Sequence, residues 1–285
     1  MKTRIITGVI AALLFFPILM FSGNEIGKYI FIGVMGLLAL ISTDELCGCF
    51  GVRKVWFISI PTYVFAVAAT LITVFFSGTE KYLPYLICAG FAFAFVVFVA
   101  SMFNNKTVKY TAAASHVATV LYVMCGFLAI IGLRYVEMGE YLFYLIFIGA
   151  WCADSFAYFV GVAIGKHKLI PSVSPKKTVE GAIGGILGAV VGFVVYGVCL
   201  SKFAGGVEVN YLGMAISAVG IAIVSQLGDL VTSFIKREQG IKDYGKVLPG
   251  HGGIMDRFDS IIAVAPVLMA IITVLGVELL KKGTL

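Results

Sequence analysis

Charge is scarce in this chain. Of 285 residues only 13% are Asp, Glu, Lys or Arg, against 60% hydrophobic, and the mean hydropathy is +1.04. That shortage excludes a soluble globular protein, which cannot bury so large an apolar share of its side chains. No polar stretch is long enough for a soluble domain, and there is no internal repeat or low-complexity linker. Cysteine spacing is equally uninformative. The closest of six cysteines, Cys47 and Cys49, lack the second pair and the histidines of a zinc site, and they read as small core residues together with His116.

What the chain does have is a series of apolar runs, each close to the ~20 residues that cross a bilayer. They predict an all-α, polytopic membrane protein with nine helices at about 5–22, 27–42, 56–76, 83–103, 112–133, 141–163, 181–200, 211–235 and 258–280. The first run follows a basic start, but it is longer than a signal-peptide core and reads as an uncleaved span. The chain divides into N-terminal helices over 1–140 and a C-terminal catalytic part over 141–285 with two polar loops, 164–180 and 236–257.

The net charge of +6 reports membrane topology rather than nucleic acid. With the N-terminus inside, 15 Lys and Arg fall on the cytoplasmic side and 6 outside. Nine of those 15 lie in the two polar loops, and the remaining six against six do not fix orientation. Two spans separate the loops, so both face the same side.

The segment "KREQGIKDYGKVLPGHGGIMDRFDS", residues 236–260, concentrates charge and glycine between apolar runs. Upstream, Ser225, Asp229, Thr232, Ser233, Lys236 and Arg237 recur at helical spacing and form one polar stripe. A carboxylate inside a span is costly unless paired or hydrated. It belongs either to an ion pair with a lysine of another helix or to a groove for a charged ligand. Asp256 and Asp259, three apart at a helix start, are expected to project together. Carboxylates in that arrangement suit Mg²⁺ held jointly with substrate phosphate, and the alternative is helix capping. His251 sits among glycines as a base, a ligand or a loop-holding donor. In the other loop, Lys176, Lys177 and Thr178 precede a glycine-rich helix start, an arrangement suited to polyphosphate or to a positive-inside anchor. Asp154 adds a further intramembrane acid.

Together these residues resemble the phosphatidate cytidylyltransferase family, also called CDP-diacylglycerol synthases. The resemblance rests on Ser233, Lys236-Arg237, Lys242-Asp243, Gly245, Leu248-Pro249, His251-Gly252-Gly253, Asp256-Arg257 and Asp259, with "ADSFAYFVGVAIGKHKL" and "SPKKTVEG" upstream. It covers residues 150–260; the first 140 residues share only its hydropathy. It implies transfer of CMP from CTP to phosphatidate, giving CDP-diacylglycerol and pyrophosphate, at the cytoplasmic face of a bacterial inner membrane. The implied catalytic residues are Asp229, Ser233, Lys236, Asp256 and Asp259, with Asp229, Asp256 and Asp259 on Mg²⁺ and room for a second cation. Lys176, Lys177, Thr178, Arg237, His251 and Arg257 are the expected substrate contacts. The expected partners are CTP, phosphatidate and the bilayer, with a homodimer left open. Rival readings are a cytidylyltransferase or kinase for another membrane lipid and, less favoured, an ion-coupled transporter, whose inverted repeats are not seen.

Overall fold

The computed structural model describes Pro17, Ile18 and residues 25–283. Apart from those first two residues, the span expected at 5–22 lies outside the described residues. Seven of the described helices are long and apolar enough to cross a membrane. In chain order the helices are α1 (Glu25–Cys49), α2 (Trp56–Phe76), α3 (Tyr82–Phe103), α4 (Tyr110–Gly132), the short α5 (Gly139–Leu142), α6 (Tyr144–Ile164), α7 (Val179–Phe203), α8 (Tyr211–Glu238), the short α9 (Met255–Phe258) and α10 (Ile261–Thr273). Two small antiparallel ribbons accompany them: β1 (Lys168–Ile170) with β2 (Ser174–Thr178), and β3 (Val207–Val209) with β4 (Leu280–Lys282). The all-α expectation holds apart from these ribbons.

The last expected span, 258–280, is the main difference. Helix α10 has 13 residues, about 20 Å at ~1.5 Å per residue, against a hydrocarbon core of ~30 Å. The chain leaves the helix through Gly276, whose φ of +62° suits only glycine comfortably, and then pairs as β4 with β3. A nine-span count is therefore not reached among the described residues.

The chain forms two compact units. One contains the chain up to Tyr135 together with Glu238–Phe258; the other contains Val136–Arg237 and the chain from Asp259 onward. The sequence division fell at 140, whereas the compact units part after Tyr135 and the second polar loop is grouped with the first four helices.

In the first unit α4 is the inner helix, burying Val117, Val120, Val123, Met124, Phe127 and Ile131. Helix α3 is apolar all round and leaves Leu83, Ile87, Phe91 and Phe95 exposed at four-residue steps, the surface of a lipid-facing helix. Buried threonine hydroxyls on α1 and α2 return to their own backbones: Thr43 Oγ1 donates to Ala39 O and Thr62 Oγ1 to Ile58 O, both at 2.7 Å. In hydrocarbon this leaves neither of these threonine hydroxyls to desolvate unpaired.

In the second unit α6 and α7 pack closely because glycine lines the contact. A Cβ at Gly181 would stand 2.7 Å from Ala157 O, and one at Gly185 2.7 Å from Ala153 O. Small residues at such steps let membrane helices approach by backbone, where no hydrophobic gain separates protein from lipid. In the structure the glycine-rich start of α7 forms this helix-packing seam.

Candidate active site

Helix α8 carries the polar stripe as the spacing requires. Ser225, Thr232 and Lys236 are buried, Asp229 and Ser233 half-buried, and Arg237 is exposed at the helix end. Asp229 is the hub. Lys177, the penultimate residue of β2, places Nζ 2.7 Å from Asp229 Oδ2 and donates to Gln226 O at 3.2 Å. Ser233 Oγ, one turn further along α8, donates to Asp229 Oδ1 at 3.2 Å. The sequence reading offered a lysine of another helix as one partner for Asp229; the partner in the structure is Lys177, which lies on the strand β2.

Asp259 reaches the same place by a close approach of backbone. It lies in the turn between α9 and α10, and a Cβ at Gly228 would stand 3.2 Å from Asp259 O. Glycine beside Asp229 lets that turn lie against α8. The turn is fixed by Ser260, whose N–H donates to Asp259 Oδ1 at 2.9 Å and whose Oγ donates to Asp154 Oδ2 at 2.8 Å. Asp154 comes from α6, so two helices, a turn and the strand β2 bring Asp154, Asp229 and Asp259 together with Lys177. Burial first, and the charge of Asp229 second, push the Asp259 carboxyl up to about 7, while Lys236 opposes the shift. A carboxyl in such surroundings binds a cation favourably, because the cation offsets both causes.

No group of three His, Cys, Asp or Glu side chains among the described residues forms a ready-made metal cage. The donor set suits a hard cation of another kind. Mg²⁺ commonly takes one or two carboxylates and completes its shell with water and substrate phosphate. Asp229 and Asp259 are carboxylates that could hold such a cation.

Asp256 lies in α9, which ends at Phe258, and Asp259 belongs to the turn that follows. Asp256 is buried, and its Oδ2 accepts the N–H groups of Tyr244 and Gly253, each at 2.9 Å. It closes the polar loop on itself. Glu45 of α1 holds the same loop from the other side, as its carboxylate accepts the N–H groups of Ile254 at 3.0 Å and Met255 at 2.9 Å. Sequence reasoning missed Glu45. The only available signal was an acid directly following an apolar run, and that was taken as the end of a span.

Around these anchors the loop surrounds a cavity of about 710 Å³ lined by Lys242, Asp243, Lys246, His251 and Arg257 among glycines, Leu248 and Pro249. Lysine and arginine outnumber acid there, which suits a polyanion. In the other loop Lys176 is exposed on β2, while Thr178 is buried as the N-cap of α7, its Oγ1 accepting the Gly181 N–H at 3.1 Å. That loop is tied down by Glu180, which accepts the N–H groups of Lys166 at 3.1 Å and His167 at 3.2 Å.

The chain matches the model of the cytidylyltransferase family over residues 2–275. Similar curated proteins include the phosphatidate cytidylyltransferase of Staphylococcus haemolyticus, 34% identical over 270 residues, which is 94% of this chain and 97% of the relative. Those of Staphylococcus epidermidis and Staphylococcus aureus are 35% and 32% identical over the same shares.

Proposed function

We infer that this chain, which belongs to the cytidylyltransferase family, is a nucleotidyltransferase that transfers CMP from CTP to phosphatidate, giving CDP-diacylglycerol and pyrophosphate. The observation that carries this reading is near-full-length similarity to three enzymes of that name. The acidic cluster supports it: Lys177 pairs with Asp229, while burial and the charge of Asp229 raise the Asp259 carboxyl, an effect that a bound cation would offset.

In the proposed mechanism a phosphate oxygen of phosphatidate attacks the α-phosphorus of CTP, a bond forms there, and the bond to the leaving pyrophosphate breaks. The nucleophile is already ionised near neutral pH, so no strong base is required. Positioning and charge neutralisation dominate the rate. Mg²⁺ bound at this site would neutralise phosphate oxygens as charge moves to the leaving group. Asp229 and Asp259 would hold it; Asp256 is the third candidate ligand, although its Oδ2 already accepts two backbone N–H groups. A second cation is compatible with so acidic a cluster. Ser233, Lys177 and Lys236 orient phosphate beside the acids, and Lys236 faces the lipid headgroup. Lys242, His251 and Arg257 line a cavity suited to the triphosphate, while Lys176 and Arg237 lie exposed at the loop bases and draw anionic substrates in.

The proposed topology has nine spans, completed by the N-terminal apolar run and by α10, with both polar loops in the cytoplasm of a bacterial cell. A homodimer is compatible with this arrangement. Purified protein given labelled CTP, Mg²⁺ and phosphatidate should release pyrophosphate and CDP-diacylglycerol in equal amounts. Product from a different lipid phosphate only, or consumption of a nucleotide without pyrophosphate release, would replace the reading with one of its rivals. Cysteines placed at Lys168 and Lys246 should react alike with an impermeant thiol reagent, and labelling of one alone from outside intact cells would overturn the topology.

A further inference from the structure

We infer that Glu45, on a helix outside the recognisable motifs, is a positioning residue that sets the shape of the cationic loop cavity. The inference rests on the reading of that cavity as the nucleotide's phosphate site. Glu45 is only 1% exposed, an unusual state for a carboxylate in an apolar helix. Each oxygen has its own donor: Oε1 takes the Ile254 N–H and Oε2 the Met255 N–H. Those two residues lead directly into the segment carrying Asp256 and Arg257.

The same carboxylate also presses on the loop at two other points. A Cβ at Gly245 or at Gly253 would collide with it. Neither glycine has a positive φ, so backbone conformation does not require glycine at either place; the space taken by Glu45 does. Gly245 lines the cavity, and Gly253 is the residue whose N–H is held by Asp256. Glu45 thus meets the loop at residues 245, 253, 254 and 255, on both strands of its fold, and determines how far apart they stand. Glu45 touches no expected substrate group, so its effect on the reaction is exerted through Arg257 and the cavity wall.

The test uses the full-length protein in detergent micelles with Glu45→Gln. Glutamine keeps the size, but its NH₂ must face one of the two N–H donors. Two readouts are needed: the rate of tryptic cleavage after Lys242 and Lys246, and the steady-state constants for each substrate. We expect cleavage to speed up and KM for CTP to rise, each about tenfold, the scale of one lost charge-assisted hydrogen bond. KM for phosphatidate should hold, and saturating CTP should slow cleavage in the variant. Unchanged cleavage overturns the inference whatever the activity does. Faster cleavage with unchanged constants for CTP means that Glu45 holds the loop but the cavity is not the nucleotide site, which removes the positioning role along with the reading beneath it. Should Glu45→Gln fail to accumulate, Gly245→Ala provides the second route. It should raise KM for CTP in the presence of Glu45, and Glu45→Asp, one methylene shorter, should restore part of the loss. Strictly additive effects of the pair would overturn the inference.

Discussion

Asp256 and Asp259 are three residues apart and stand in opposite environments. Asp256 is surrounded by donors: two backbone N–H groups converge on its Oδ2. Asp259 is surrounded by acids, with Asp229 and Asp154 both raising its affinity for a proton. The first carboxylate is stabilised by the protein's own dipoles. The second carries a raised affinity for a proton, which the Ser260 N–H and the charge of Lys236 oppose. Identical side chains in one short motif therefore meet different surroundings, donors around the first and acids around the second.

The largest expected effect is that of Asp259→Asn. Removing a charge from a metal and phosphate site should lower kcat/KM by about a thousandfold or more, roughly 4 kcal/mol at 1.4 kcal/mol per decade. The Mg²⁺ concentration for half-maximal rate should rise as well. Asp256→Asn should cost less, about ten- to a hundredfold, because asparagine can still accept from Tyr244 or Gly253 while losing the charge that strengthens both bonds. Its half-maximal Mg²⁺ should stay near that of the unmodified protein. A matched rise in both variants would restore Asp256 as a ligand and erase the contrast.

Lys177 and Lys236 extend the comparison to the cations. Lys177 is already paired with Asp229 at 2.7 Å, whereas Lys236 acts on Asp259 through its field. Lys236→Met keeps the stem and loses the charge, and a loss of about ten- to a hundredfold in kcat/KM is expected for a charge-assisted phosphate contact. More phosphatidate in the micelle should recover part of the rate, and more CTP should not. The reverse pattern would place Lys236 on the nucleotide, and an unchanged rate would remove it from the site.

Hydropathy alone located most of the helices, since a bilayer imposes length and polarity on every span. It misplaced the ends where polar residues are buried by protein rather than solvated. Helix α1 was expected to stop at 42 because Asp44 and Glu45 follow, yet it continues to Cys49 with Glu45 inside. Helical spacing revealed the α8 stripe because its members lie on one element. It could not reveal that Lys177 sits on Asp229, that Ser260 reaches Asp154, or that Glu45 meets Ile254, because those contacts join residues far apart in the chain.

The smallest expected effect separates structure from chemistry at Thr178. Its hydroxyl accepts the Gly181 N–H as the α7 cap, and it is packed so tightly that a Cβ at Gly165 would fall 2.6 Å from its Oγ1. A group so enclosed serves the helix start. Thr178→Ala should lower stability by about 0.5–2 kcal/mol, the range for a lost N-cap, with kcat/KM per folded molecule nearly unchanged. Thr178→Ser keeps the oxygen and should recover most of that loss. Thermal unfolding in one detergent, read beside the rate at saturating CTP, separates the outcomes. A rate that falls tenfold in Thr178→Ala while the unfolding temperature holds would return the hydroxyl to the phosphates. Lys176 and Lys177 would then gain a third partner on the same strand, and the start of α7 would be part of the site after all.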